Sequence, residues 1–381
     1  MRLRAVFKVS QFRGGAPFVS YKPPVSSQLQ SQPNRSSFGI AFDIDGVILQ
    51  GRAPIEGSSQ ALRRLYDDSG VLKVPFVFLT NGGGIPESKR ALELSQLLGV
   101  NISPAQVLQG HSPFRNLLSR YENELIVATG KGDPALVMSE YGFKKVLSIG
   151  EYASCFNNID PVSQYKAWTN DNVFCLSSCL KDLGPNCDVL SERVQAAFVI
   201  SDPVDWGRDI QVLCDILRSG GLPGRSGGHQ PPLYFAADDL EYQAAFPLER
   251  LGMGAFRIAL ESVFNRIHHH PLEYVSFGKP NPFVFDNAEM MLKQLLLLHR
   301  DVRGMDDKRY PQSHSFGTLY MVGDNPSVDI KGARQAGHPW FSILTRTGVF
   351  KGEDNDSSFP ADVVVDTVEE AVDYILSRER S

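Results

Sequence analysis

The sequence predicts an α/β protein: a Rossmann-like parallel sheet interrupted by a second, inserted α/β unit. Three observations carry this. From Phe38 to about Gly110, apolar runs alternate with segments of helical periodicity, a pattern that implies parallel strands joined by crossover helices. A second α/β pattern then intervenes, and the first resumes near Tyr274. Two apolar runs also end in pairs of acids, Asp43 with Asp45 and Asp324 with Asp329, and open α/β sheets bind ligands outside the carboxyl ends of their strands.

In chain order, Phe38–Phe42 predicts the first strand, with a sharp turn after it that Gly46 permits. Leu62, Leu65 and Tyr66 fall at helical spacing, Pro75–Leu79 is a buried strand, and Leu94, Leu97 and Leu98 close a helix at Gly99. The intervening unit predicts strands over Glu124–Ala128, Val146–Ile149, Ala196–Ile200 and Leu233–Ala236. Its helices fall over Pro134–Tyr141, Asp209–Arg218 and Gly254–Phe264. The glycine- and proline-rich stretch from Ser219 to Pro232 is a loop, and the poorly periodic Ser148–Cys187 is an insertion within the unit. Thereafter Pro282–Leu298 is a long amphipathic helix. Leu319–Val322, Phe341–Leu344 and Ala361–Val365 are strands, and Val368–Leu376 is the last helix. The expected organisation is therefore 1–37 as a leader, 38–110 with 271–381 as the core domain, and 111–270 as the inserted domain.

The composition of the 381 residues is ordinary for a globular protein, 42% hydrophobic and 21% charged, with a net charge of −5. That excludes the strongly basic surface expected of a nucleic-acid binder. No apolar run approaches the length of a transmembrane segment, and the candidate around Leu295–Leu298 is short and flanked by Lys293 and Arg300. The leader differs from the rest. Arg2, Arg4, Lys8, Arg13, Lys22 and Arg35 are basic, serines are frequent, and no acid precedes Asp43. This is the composition of an organelle transit peptide, with the mitochondrion ahead of the chloroplast. The five cysteines, an odd number without a secretory signal, are expected to be free thiols. Cys175, Cys179 and Cys187 match no common zinc spacing, and His268–His270, before Pro271, is expected to be a solvated turn.

The chemistry lies in four ordered segments. Phe42-Asp43-Ile44-Asp45-Gly46-Val47 places two carboxylates at a strand end, where they suit a hard cation such as Mg²⁺. Val77–Gly82 ends a second apolar run in Thr80, Asn81 and Gly82. Phe277-Gly278-Lys279-Pro280 sets a lysine between backbone breakers, and Tyr320–Asp329 ends a third run in Asp324 and Asp329. Neither a G-x-x-x-x-G-K-[ST] phosphate loop nor a G-x-S-x-G elbow is present.

In this order the four segments resemble the motifs of the haloacid dehalogenase (HAD) superfamily, and the intervening unit resembles the C2 cap of its class IIA. Within that class the chain is similar to the cat eye syndrome critical region protein 5 group, which implies a mitochondrial hydrolase and carries a link to glycerophospholipid metabolism. The resemblance implies a Mg²⁺-dependent phosphatase acting on a small-molecule phosphate ester through an aspartyl-phosphate. Asp43 would be the nucleophile, and Asp45 the acid and then base, its backbone carbonyl also holding the metal. Thr80 would donate to a phosphate oxygen, with backbone N–H groups of Asn81 and Gly82 completing the cradle. Lys279 would pair with Asp43 and the phosphate. Asp43, Asp45 and Asp324 would hold Mg²⁺, and Asp329 would orient water or Lys279.

The alternatives are a phosphotransferase, which differs only in its acceptor, and a non-catalytic scaffold, against which the intact motifs stand. Dehalogenation needs no acid, so Asp45 argues against it. The triple glycine Gly82–Gly84 is expected to be flexible and to loosen the phosphate cradle. Asp238, Asp239 and Arg250 are candidates for leaving-group contacts. The sequence leaves the oligomeric state open, a homodimer included.

Overall fold

A computed structural model describes residues 37–166, 189–225, 228–302 and 316–380. The chain opens with β1 (Phe38–Phe42), a short hairpin of β2 (Leu49–Gln50) and β3 (Ala53–Pro54), α1 (Ser58–Arg63), β4 (Phe76–Thr80), α2 (Glu87–Leu98) and β5 (Val107–Gln109). A second run follows: α3 (Leu118–Tyr121), β6 (Leu125–Thr129), α4 (Pro134–Glu140), β7 (Lys145–Ser148) and α5 (Ile149–Ser154), then β8 (Ala196–Val199), α6 (Trp206–Arg218) and β9 (Leu233–Phe235). It continues through β10 (Glu241–Tyr242), β11 (Arg250–Leu251), α7 (Met253–Ile267) and β12 (Val275–Ser276). The chain closes with α8 (Pro282–Val302), β13 (Thr318–Gly323), α9 (Lys331–Ala336), β14 (Trp340–Thr345), β15 (Val363–Val365) and α10 (Val368–Arg378).

These strands form two parallel sheets. The first has the order β15-β14-β13-β1-β4-β5 and the second β12-β9-β8-β6-β7. Strand β1 lies at the centre of the first, pairing with β13 on one side and β4 on the other. A parallel strand covered on both faces is a continuous apolar run rather than an alternation. The two faces of β1 show this: Ile40 and Phe42 pack with Phe76, Phe78, Tyr320 and Val322, while Ala41 packs with Val77, Leu79 and Met321. The second layer beneath Ala41 is α8, whose Val284, Phe285, Ala288, Leu292 and Leu295 recur at helical spacing and are buried. Edge-to-face rings, Phe42 on Phe76 at 5.9 Å and Phe76 on Phe78 at 5.5 Å, fill the other face.

The expected elements are present, with ends shifted by a few residues. Gly46, with φ of 86°, makes the turn after β1, and Gly99 closes α2. The short elements were not foreseen: the edge strand β5, the β2–β3 and β10–β11 hairpins, strand β12, and helices α3 and α5. One boundary is corrected. The second sheet was expected to end at residue 270, but β12 pairs with β9 as far as Ser276, so the chain leaves that sheet six residues later. The region that raised a zinc site at Cys175, Cys179 and Cys187 lies outside the described residues. Cys155 and Cys214 are free. His268–His270 form an exposed turn in which the His270 N–H donates to His268 Nδ1.

Where the chain first passes between the sheets, a buried polar network spans the junction. Glu87, at the start of α2, accepts from Ser112 Oγ at 2.7 Å, Arg115 at 2.9 Å and Tyr141 Oη at 2.6 Å. Tyr141 Oη also meets His111 Nδ1 at 2.7 Å. Because the tyrosine proton goes to Glu87, His111 must donate from Nδ1. Burial pushes the His111 pKa down to about 4, against the pull of Glu87. A histidine depressed in the folded state gives stability that is complete above its unfolded value of about 6.5 and is lost as pH falls toward 4. The folded protein should therefore lose up to about 3 kcal/mol from this group alone over that window. Urea midpoints at pH 7 and pH 4.5 should fall further in the wild-type chain than in His111→Gln. Equal losses would show that His111 does not titrate in this way.

Candidate active site

The first sheet delivers three of the four sequence motifs to one place. Parallel neighbouring strands lie about 4.8 Å apart, so the residues just past β13, β1 and β4 emerge side by side: Asp324, Asp43 and Thr80. The fourth, Lys279, arrives from the second sheet just after β12. All of these side chains except that of Asp45 are buried.

Lys279 is the hub. Its ammonium lies 2.9 Å from Asp43 and 2.7 Å from Asp329. Its backbone is held by a single side chain. Asn81 Oδ1 accepts from the Lys279 N–H at 2.8 Å, and Asn81 Nδ2 donates to the Lys279 carbonyl at 2.9 Å. The same Nδ2 donates to Asp239 Oδ1 at 2.7 Å. Asn81 was expected to serve through its backbone; its side chain instead ties the second motif to the third and to the second sheet. Gly82 also differs from expectation: its N–H donates to Thr80 Oγ1 at 3.0 Å, which leaves the Thr80 hydroxyl proton free to point elsewhere.

The carboxylates of Asp43, Asp324 and Asp329 approach within 4.8 Å of one another, the only such group of potential metal ligands among the described residues. Within it the three differ. Asp329 is fully engaged: Oδ1 accepts from Lys279, and Oδ2 accepts from the N–H groups of Asp324 and Asn325. Asp324 accepts from the Val349 N–H through one oxygen, and Asp43 meets Lys279 through one. Asp43 and Asp324 thus each keep an oxygen for a cation, while Asp329 does not.

The charge balance points the same way. Burial raises the Asp43 pKa, against Lys279. Burial, then Asp43 and Asp329, raise Asp324 well above the ordinary carboxylate range. Burial pushes Asp329 up to about 6, against Lys279. Lys279 stays charged: burial opposes its proton, but Asp329 and Asp43 more than compensate. One ammonium among three buried carboxylates leaves a deficit of positive charge, so the donor set fits a divalent, oxygen-seeking cation such as Mg²⁺.

Asp45 stands apart from this cluster. Its side chain makes no hydrogen bond to any described residue, and burial raises its pKa, against Arg90 and Lys131. It lines the same cavity as Asp43, Thr80 and Asp324, so it faces the place where a ligand would react.

The second sheet closes the cavity with Lys131, Asp202, Asp239 and Tyr242. Of the three residues proposed from sequence as contacts there, only Asp239 is present. Burial, with Asp43 and Asp329 adding, pushes its pKa up to about 8, against Lys279 and Asn81. Asp238 is instead paired with Arg257 at 2.6 Å, and Arg250 donates to the carbonyls of Leu248 and Glu249. Lys131, missed from sequence, lies between two glycines just after β6 and donates to Asp202 at 2.7 Å. That Gly-Lys-Gly at a strand end was its available signal.

The glycine run is also corrected. Gly84 has φ of 106°, and a Cβ there would sit 2.2 Å from the Lys131 carbonyl; at Gly83 it would sit 2.6 Å from His111. The Gly84 carbonyl accepts from the Asp133 N–H at 2.8 Å. These glycines let two backbones touch, so the loop is pinned rather than loose.

With this geometry in hand, the comparisons are specific. The haloacid dehalogenase-like hydrolase family matches residues 40–144, and a HAD-hydrolase-like family matches residues 276–371. The chain is 31% identical to a mitochondrial hydrolase of Saccharomyces cerevisiae over 360 residues, covering 91% of this chain and 97% of the yeast protein. It is 33% identical over 348 residues to a cardiolipin synthase (CMP-forming)/mitochondrial hydrolase fusion protein of Schizosaccharomyces pombe, covering 89% of this chain and 53% of the fusion. A 4-nitrophenylphosphatase from Thermotoga maritima shares the fold with a TM-score of 0.54 at 19% identity, over 88% of this chain and 96% of that one. The chain belongs to the haloacid dehalogenase-like hydrolases.

Lys279→Met would strand the buried carboxylates. Breaking a buried pair typically costs about 3–5 kcal/mol, so the variant should be destabilised by roughly that much at pH 8 in EDTA. The loss should shrink toward pH 5.5 as the carboxylates take up protons. Denaturant titrations at the two pH values test this; a loss independent of pH would contradict the charge balance described above.

Proposed function

We propose that this hydrolase is a Mg²⁺-dependent phosphatase that cleaves a small phosphate monoester through an aspartyl-phosphate on Asp43. The observation that carries the reading is the pairing of Asp43 with Lys279 at 2.9 Å, beside Asp324 and within one cavity with Asp45 and Thr80. Asp43, in its ionised form and paired with Lys279, attacks phosphorus through its carboxylate oxygen. Lys279 and the Thr80 hydroxyl meet the phosphoryl oxygens, and Asp329 fixes the lysine. Asp43 and Asp324, with the backbone carbonyl of Asp45, would hold the cation, which when bound offsets charge on the phosphoryl group. Asp45, its side chain unengaged and its pKa raised, gives a proton to the leaving oxygen and then takes one from the water that cleaves the acyl-phosphate. Asp239, neutral below about pH 8, adds little repulsion to an incoming anion.

A phosphotransferase would use the same first half-reaction and differ in the acceptor. A scaffold would form no phosphoenzyme at all. The relatives' names support a mitochondrial location, and the fusion to cardiolipin synthase in the fission-yeast relative supports a link to glycerophospholipid metabolism.

EDTA-treated protein should lose hydrolysis of p-nitrophenyl phosphate, and added Mg²⁺ should restore it; full activity in EDTA would exclude the metal. Asp43→Asn should abolish both phosphoenzyme and turnover. Asp45→Asn should lower turnover by about 10² to 10⁴-fold, while phosphoenzyme accumulates from an ester with a good leaving group. Rapid-quench labelling reads both, and wild-type labelling in Asp43→Asn would refute the nucleophile.

The protein isolated from mitochondria should begin between Gln30 and Ile40. Mass spectrometry of its first peptide is the check, and an intact Met1 on the mitochondrial protein would contradict cleavage.

A further inference from the structure

Asp45 borders two cavities, not one. On one side is the acidic site, with Asp43, Asp324 and Asp239. On the other, a groove runs between the β2–β3 hairpin, the start of α2 and the loop after β6, and its charged lining is Asp45, Arg52, Arg90 and Lys131. Thr80, Gly82, Gly83, Lys131 and Tyr242 belong to both, so the two spaces join across Asp45, and Arg52 and Arg90 are the cations that line the groove alone.

The cations of this groove are not all spoken for. Arg52, at the exposed tip of the hairpin, makes no ion pair or hydrogen bond to any described residue. Arg90 is paired with Glu93 at 3.2 Å through one nitrogen, and Lys131 with Asp202 at 2.7 Å. Neither acid is among the residues that line the groove. The hairpin is held against the second sheet's loop, where a Cβ on Gly51 would lie 2.8 Å from that of Ala245. That loop is braced by Gln243, whose amide donates to the carbonyls of Ala244 and Phe246.

A proton donor must sit beside the leaving oxygen, so the alcohol that leaves phosphorus and takes its proton from Asp45 extends into the space that adjoins Asp45 away from Asp43. That space is the cationic groove. Resting on the phosphatase reading for the position of the phosphoryl group, the geometry points to a substrate whose leaving alcohol carries a second anion, a carboxylate or another phosphoryl group, bound by Arg52 and Arg90. Arginine suits either, because its planar fork meets two oxygens at once. The acidic site and the cationic groove then orient the substrate: only the end that satisfies the metal and Lys279 reaches Asp43.

Binding of phosphonates, which cannot turn over, tests this apart from catalysis. Propylphosphonate, 3-phosphonopropionate and propane-1,3-bisphosphonate share a chain and differ in the tail: neutral, carboxylate or phosphonate. Calorimetric titration of the full chain with saturating Mg²⁺ should show an anionic tail binding about tenfold tighter than the neutral one. The larger of the two preferences identifies the anion. The preference should vanish in Arg52→Gln/Arg90→Gln and persist in Lys89→Gln, which lowers charge on the same helix outside the groove. Equal binding of all three ligands, no binding of any, or a preference that survives the double substitution would overturn the subsite. If the preference holds but no ester is hydrolysed, the phosphatase reading fails and the subsite stands.

Discussion

One buried ammonium organises this molecule. Lys279 lies between Asp43 and Asp329, and without it the buried carboxylates of Asp43, Asp324 and Asp329 would face one another with no cation among them. Strand order supplies the rest of the constraint. Because β1 lies between β13 and β4, the residue after β1 is adjacent to those after both neighbours, and no other position in the sheet would put Asp43 beside Asp324 and Thr80 together. The lysine comes from elsewhere, and the Asn81 side chain fixes its backbone from both sides, as a strand neighbour would. Lys279 is therefore positioned by a hydrogen-bonding pattern borrowed from sheets, where no sheet continues.

The division of labour between the sheets follows from burial. The first sheet presents fixed carboxylates at strand ends. The second contributes Asp239, whose pKa is raised chiefly by burial and further by Asp43 and Asp329, and Lys131, whose charge Asp202 supports. Each partner acquires the protonation state that disturbs an anion least. At the crossing, Gly83 and Gly84 bring the two layers into backbone contact, so the roof of the site has a fixed height above Thr80.

Much of this was legible in the chain. Buried parallel strands appear as unbroken apolar runs, so β1, β4 and β13 were readable, and the acids after them marked the ligand end. Short strands were not: β10, β11 and β12 have two residues each, too few for a period, and β12 carried the sheet boundary past the expected residue. Asn81 looked like a turn residue because its partner is 198 positions away. The glycine run looked loose because sequence shows conformational freedom but not the backbone pressed against it. Lys131 was visible as a Gly-Lys-Gly, but its meaning depends on a groove formed by residues from β2, α2 and β6 together.

The central pairing of β1 has a consequence for assembly. Phe38 pairs with Thr318, 280 positions later, so β1 acquires one of its two neighbours only after that much more chain has been made. Closing a flexible loop of that length is entropically unfavourable, and more so the longer the loop. The second sheet lies wholly inside the loop and is contiguous in sequence. Once folded, it holds its entry near His111 close to its exit near Lys279. The inserted sheet, once formed, thus acts as a molecular staple on its host: it brings its own two ends together and so shortens the loop that the distant pairing of β1 with β13 must close.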